Sequence, residues 1–233
     1  MTWIKICGTT NREDALAAVS AGADAVGFVF ASSPRQITPE AARDIAAALP
    51  AHVERVGVFA GDSAERIQSI ARVVGLDIVQ LHGDESADFV AAVARDDENK
   101  PRFRVFKAVA VKPGGEAALR NCEAYDSADA LLLDSAVLRA GCTGQGTDLI
   151  RGGTGVSFDW QRAAEVVPAL AQRTRVILAG GLSPANVAEA VRLLRPWGVD
   201  VCSGVEKSPG IKDHEKMRAF VTAVRTPTLK PDA

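Results

Sequence analysis

The chain has 233 residues, 47% of them apolar and 24% charged, with a formal net charge of -2. Those proportions are ordinary for a soluble globular protein, and the length suits a closed α/β barrel better than one small core. The balanced charge excludes the electrostatic footprint of a nucleic-acid or anionic-membrane binder, no apolar run reaches transmembrane length, and the N-terminus lacks a secretory pattern, so a cytoplasmic protein without such partners is expected.

Apolar, β-rich runs alternate with helical patterns from end to end. The predicted strands are Trp3–Cys7, Ala25–Phe30, Arg55–Phe59, Ile78–His82, Arg104–Val109, Ala130–Asp134, Arg175–Ala179 and Val199–Ser203. Between them, Ile67, Ile70, Ala71 and Val74 fall at i, i+3, i+4, i+7, as do Met217, Phe220, Val221 and Val224. Helix starts are marked by Thr10 through Glu13, which has capping-box spacing, and by Thr38-Pro39 and Ser183-Pro184, each a hydroxyl before a proline. Strands alternating with helices imply parallel strands joined by right-handed crossovers, and eight such units favour a single (β/α)8 TIM barrel over an open sheet. The expected domain is 1–225, followed by a disordered polar, proline-bearing tail at 226–233.

A turn recurs before the even-numbered strands. Asp24, Asp77, Asp129 and Asp200 each follow a small residue by two or fewer positions and precede an apolar run. Five residues beyond them stand Val29, His82, Asp134 and Val205, which places His82 and Asp134 at equivalent strand ends. Ala136–Ser157, with six glycines, reads as one long irregular loop and is expected to act as a lid.

The chemistry-bearing candidates gather at strand C-termini, where ligands bind in barrels. Cys7 closes the first strand; a buried inert thiol is the bland reading, and the strand-end position argues against it. Trp3, Lys5 and Cys7 share one face by parity, so an inward Cys7 brings Lys5 inward below it, where an ammonium lowers the thiol pKa. Asp134 closes an apolar strand, and desolvation there favours the protonated form that suits a general acid, although a loop cap would read the same. Arg35 follows the second strand and could hold a carboxylate bidentately; a solvated arginine is the alternative. His82 is equally consistent with a structural histidine. Glycine segments at Gly152-Gly153-Thr154-Gly155, at Gly180-Gly181 and at Ser203-Gly204 could admit an anion to backbone N–H groups, and the last two follow strands seven and eight, the common phosphate site of such barrels. The cysteines (Cys7, Cys122, Cys142, Cys202) form no C-x-x-C pair, and His52, His82 and His214 form no metal-ligand spacing, so free thiols and no metal are expected.

Taken together, Lys5-Ile6-Cys7-Gly8, Val26 through Phe30, Ser33-Pro34-Arg35, Gln80-Leu81-His82-Gly83, Leu132-Leu133-Asp134, Gly152 through Gly155, Ala179 through Leu182, and Ser203-Gly204-Val205-Glu206 with Pro209-Gly210 and Lys212-Asp213 resemble the phosphoribosylanthranilate isomerases of tryptophan biosynthesis. The likeness runs from the first strand to the last helix. One departure is the stretch from Ala136 to Arg151, longer than the family pattern. The resemblance implies an Amadori rearrangement of N-(5-phosphoribosyl)anthranilate without metal or organic cofactor. It implies Cys7 as general base and Asp134 as general acid. Arg35 and His82 would meet the substrate, with the anthranilate carboxylate on Arg35, and Gly153, Gly155, Gly180, Gly181, Ser203 and Gly204 would hold its phosphate. The implied partner is a small phosphorylated substrate, and the implied assembly a monomer or homodimer. A histidine-pathway isomerase, which carries an aspartate where Cys7 stands, and a non-catalytic phosphate-binding barrel are the competing readings.

Overall fold

The structure, a computed structural model, describes residues 1–94, 103–111, 122, 125–138, 149–151, 160–164 and 167–226. Eight parallel strands close on themselves: β1 (Trp3–Ile6), β2 (Ala25–Val29), β3 (Glu54–Phe59), β4 (Ile78–Leu81), β5 (Arg104–Val111), β6 (Ala130–Leu138), β8 (Arg175–Leu178) and β9 (Gly198–Val201). β9 returns to pair with β1, Lys5 opposite Asp200 and Ile6 opposite Val201. The helices between strands are α1 (Arg12–Ala21), α2 (Pro39–Ala46), α3 (Ala64–Val74), α4 (Ala87–Ala94), α5 (Trp160–Ala163), α6 (Val167–Ala171), α7 (Val187–Leu194) and α8 (His214–Arg225). This is the expected TIM barrel. Among the described residues no helix is long and apolar enough to cross a membrane.

Strand parity creates two cores. Ile4, Ile6, Val26, Phe28, Val79, Leu81, Leu131, Leu133 and Val199 face outward and pack with the helices, including the predicted stripes of α3 and α8. Their neighbours face the barrel axis. Trp3, Ala25, Val56, Ile78, Phe106, Ala130 and Ile177 form an apolar floor, where Trp3 stacks on Trp197 at 5.1 Å between ring centroids. Two residues further along, the interior turns polar: Lys5, Gln80 and Asp200 are all buried. Gly27 makes room for this layer, because a Cβ there would lie 2.7 Å from Lys5 Cε and 2.8 Å from Cys7 Sγ.

The repeated aspartate has a structural reason at three of its four positions. The Ile4 N–H donates to Asp24 at 2.8 Å, the Arg55 N–H to Asp77 at 2.8 Å and the Val105 N–H to Asp129 at 2.9 Å. Each aspartate just before an even strand thus caps the N–H of the second residue of the neighbouring odd strand. Asp200 departs from this: β9 begins at Gly198, so Asp200 lies within the strand and points into the barrel, and Val205 falls in a 3-10 turn (Ser203–Val205) instead of at a strand end.

Other boundaries also move. Asn11, not Thr10, caps α1 by accepting from the Asp14 N–H, while the Thr10 hydroxyl donates to the Gly210 carbonyl. Thr38 caps α2 with Pro39 in its first turn, as read. After Ser183 the chain makes a turn, and α7 starts only at Val187, because Asn186 Oδ1 accepts from the Ser183 N–H and ties the turn. The stretch from 136 to 157 is not irregular throughout: β6 runs on to Leu138 and pairs antiparallel with β7 (Leu149–Arg151), Val137 opposite Ile150. Residues 139–148 and 152–157 of the expected lid, and 227–233 of the expected tail, lie outside the described residues.

Asp24→Ala removes the acceptor of a fully buried N–H together with the Arg225 contact at 2.7 Å. An unsatisfied buried donor costs about 1–3 kcal/mol, so urea unfolding should show a loss in that range, and Asp24→Asn, which keeps an acceptor, a smaller one.

Candidate active site

A cleft of about 330 Å³ opens at the C-terminal ends of the strands. Cys7, Arg35, His82, Asp134, Gly180, Gly181 and Ser203 all line it, so the fold brings these seven candidates together. Gly204 is not among the lining residues. A Cβ on it would come 1.9 Å from the Leu182 carbonyl oxygen, so the loops after β8 and β9 can press together only over a glycine there. Gly153 and Gly155 lie outside the described residues. Gln80, Asp200 and Cys202 also line the cleft and were not singled out from the sequence.

Cys7 is 6% exposed and follows β1 directly, with its N–H donating to the Val201 carbonyl. Its thiol is held well below the ordinary range. The Cys202 thiol donating to it contributes most, and the Lys5 and Lys212 ammoniums act in the same direction, against burial. Cys202 is pushed the opposite way by that hydrogen bond and by burial. Of the two thiols, Cys7 is therefore the more readily ionised.

Lys5 is fully buried, and its Nζ lies 3.1 Å from Asp200 Oδ2. Burial alone would discharge it, but Asp200 and Cys7 outweigh burial and raise it above its ordinary value. Burial pushes Asp200 up to about 7 against the pull of Lys5. From Lys5 a hydrogen-bonded line crosses the cleft: Nζ donates to Gln80 Oε1 at 2.7 Å, Gln80 Nε2 meets His82 Nδ1 at 2.8 Å, and His82 Nε2 meets Asp134 Oδ2 at 3.0 Å. The other carboxylate oxygens, Asp134 Oδ1 and Asp200 Oδ1, are buried and have no hydrogen-bond partner among the described residues.

On the opposite wall, Arg35 does not wait as a free cation. Its Nε and Nη2 grip Glu206 at 2.8 and 2.7 Å. Glu206 opens β10 (Glu206–Ser208), which pairs with β11 (Ile211–Lys212). Lys212 Nζ reaches Glu206 Oε1 at 2.9 Å and also donates to the Cys7 carbonyl. Burial raises the Glu206 carboxyl, but Arg35 and Lys212 more than reverse this and hold it below the usual range. Glu206 and Lys212 stood in the sequence only as parts of longer motifs; nothing local marks two residues six apart as a brace beneath Cys7.

A (β/α)8 barrel whose strand-end cleft collects a thiol, a carboxylate, an arginine and glycine turns belongs to the class of barrel enzymes acting on small anionic substrates. The model of the N-(5'phosphoribosyl)anthranilate (PRA) isomerase family matches residues 4–223. The N-(5'-phosphoribosyl)anthranilate isomerase of Pseudomonas fluorescens (strain Pf0-1) is 47% identical over 222 residues, covering 95% of this chain and 97% of the relative. A crystal structure of phosphoribosyl anthranilate isomerase in complex with reduced 1-(o-carboxyphenylamino)-1-deoxyribulose 5-phosphate superposes with a TM-score of 0.79 at 38% identity, covering 97% of this chain and 99% of that one. A structure of monomers generated from the dimeric enzyme of Thermotoga maritima gives 0.78 at 39%, with the same coverage of each. The chain belongs to the phosphoribosylanthranilate isomerase family and is an isomerase of tryptophan biosynthesis.

Glu206 is buried between two cations, and removing one member of such a group strands the others. Glu206→Ala should therefore cost about 3–5 kcal/mol. A carboxyl whose folded value is depressed stabilises fully above its unfolded value, about 4.3, and loses that contribution as pH falls through the folded value. Wild-type stability should thus drop below about pH 4, and Glu206→Gln should flatten that acid limb in unfolding curves taken across pH.

Proposed function

We propose that Cys7 and Asp134 carry the rearrangement as base and acid. The observation that supports the pairing most directly is that both line one cleft, Cys7 just past the end of β1 and Asp134 on β6, with Asp134 Oδ1 buried and unpartnered among the described residues. The substrate is N-(5-phosphoribosyl)anthranilate. Asp134 gives its proton to the ring oxygen as the C1–O bond breaks, and the anilino nitrogen lone pair forms the iminium. The Cys7 thiolate then takes the C2 proton, whose bonding electrons move toward the cationic nitrogen. The resulting enolamine gains a proton at C1 and loses its hydroxyl proton to give the aminoketose, 1-(2-carboxyphenylamino)-1-deoxyribulose 5-phosphate. Proton transfers of this kind contribute about 10²- to 10⁴-fold each.

Binding follows from the cleft walls. Arg35 is clamped by Glu206 through Nε and Nη2, which leaves Nη1 for the anthranilate carboxylate. Gly180, Gly181 and Ser203 lie on the side of β8 and β9, where barrels of this class take phosphate, with Gly204 allowing the two loops to meet. His82 reaches the acid, and the free Asp200 oxygen can accept from a sugar hydroxyl. The reduced product analogue bound to the related enzyme supports the same ligand class here. We further read residues 1–225 as one domain in the cytoplasm that works as a monomer or homodimer; the dimeric relative supports the latter.

Decay of the fluorescent substrate reports turnover. Cys7→Ala and Asp134→Asn should each lower kcat roughly a hundredfold or more while leaving the melting temperature near wild type, since each removes few packed atoms at a rim. Retention of more than about a tenth of the activity by either variant would remove that residue from its role. Inactivation by iodoacetamide should titrate below the free-thiol value of about 8.5, and Cys202→Ala should move that midpoint upward.

A further inference from the structure

The polar line between Lys5 and Asp134 has only one consistent direction. An ammonium carries donors and no acceptor. Lys5 Nζ lies 2.7 Å from Gln80 Oε1, so the amide must offer it oxygen. The amide NH2 is then turned toward His82 Nδ1, 2.8 Å away, and an amide nitrogen can only donate. Nδ1 therefore accepts and carries no proton. The single ring proton sits on Nε2, which donates to Asp134 Oδ2 at 3.0 Å.

We infer that Gln80 is a positioning residue for the isomerisation: by relaying the donor polarity of Lys5, it fixes His82 as the neutral Nε2–H tautomer facing Asp134. The inference rests on Asp134 being the acid. Protonating His82 would set a second N–H against the Gln80 NH2 at 2.8 Å, two donors head to head, in a site where Gln80 is 1% exposed. The consequence falls on the acid. A carboxyl beside an imidazolium is held as the anion by the opposite charge. Beside a neutral N–H it can keep a proton, deliver it to the ring oxygen and take another in the next cycle. The other charged groups around His82 do not replace this control. Lys5 and Asp200 pair with each other at 3.1 Å, Cys7 lies just past the end of β1 above Lys5, Lys107 on β5 is bound to Glu85 and the Gly83 carbonyl, and Arg35 is held by Glu206.

Long-range ¹H–¹⁵N spectra of the histidine-labelled wild-type enzyme read the tautomer directly, with His82 identified among three histidines by His82→Asn. Between pH 6 and 8 the His82 signal should show a protonated Nε2 and a bare Nδ1; a proton on Nδ1, as imidazolium or as the other tautomer, would overturn the inference. Gln80→Glu supplies an acceptor at the same place and should let Nδ1 take a proton. Its kcat should fall roughly tenfold at pH 8, and the alkaline limb of its kcat profile should move about one pH unit or more to lower pH. An unchanged tautomer and an unchanged profile in that variant would equally overturn it. If that variant does not fold, the wild-type spectrum decides alone. Turnover by Asp134→Asn would instead remove the acid assignment and leave the His82 tautomer standing, so the two failures are separable.

Discussion

A fully buried ammonium sets the terms for the centre of this barrel. Lys5 is fully buried, inside a ring of strands whose floor is tryptophan, phenylalanine and isoleucine. An isolated buried charge costs far more than a fold of this size can offset, so the neighbours must answer it. Asp200 answers with charge from the adjoining strand, Gln80 with an amide oxygen, and Gly27 with the space in which the chain can lie. Each of those answers reaches the cleft. Asp200 keeps a second oxygen free, Gln80 passes a donor on to His82, and Cys7 stands above the cation and remains ionised more easily. The polar layer is thus a common foundation for both ends of the site.

A second brace holds the cleft from below. Glu206 is shared between Arg35 and Lys212, and Lys212 also reaches the backbone of Cys7. The arginine wall and the thiol are therefore tied to one carboxylate. A disturbance at either would be felt at the other, which favours a rigid entrance on this side of the barrel.

Much of this could be read from residue order. The eight strands carry runs of apolar residues too short for helices, and Cys7, His82 and Asp134 are legible because each closes or directly follows such a run. Parity alone brings Lys5 inward once Cys7 is inward. Gln80 and Asp200 were harder to find, because a polar residue inside a short apolar run carries no mark of which way it faces until the neighbouring strand is in register. Asp200 was further disguised by a Gly-x-Asp pattern shared with Asp77, where the aspartate really does cap a neighbouring strand. What separates them is the Trp3 N–H, which donates to the Trp197 carbonyl and draws the start of β9 back to Gly198. The Arg35–Glu206 pair spans 171 positions, and no local spacing encodes it.

The closure of the barrel also has a meaning in time. β1, made first, finds one of its two partners in β9, and Cys7 takes its neighbours Cys202 and Lys212 from the same late part of the chain. Arg225, at the end of α8, bonds back to the Thr2 carbonyl and to Asp24. A growing chain on the ribosome therefore exposes its first strand, with Lys5 and Cys7 on it, long before Cys202 and Lys212, the other groups that favour ionisation of the thiol, exist. Cys7 thus gains the full set of neighbours that favours its ionisation only as the ring shuts, and a truncated or stalled product would carry a less acidic, less reactive thiol.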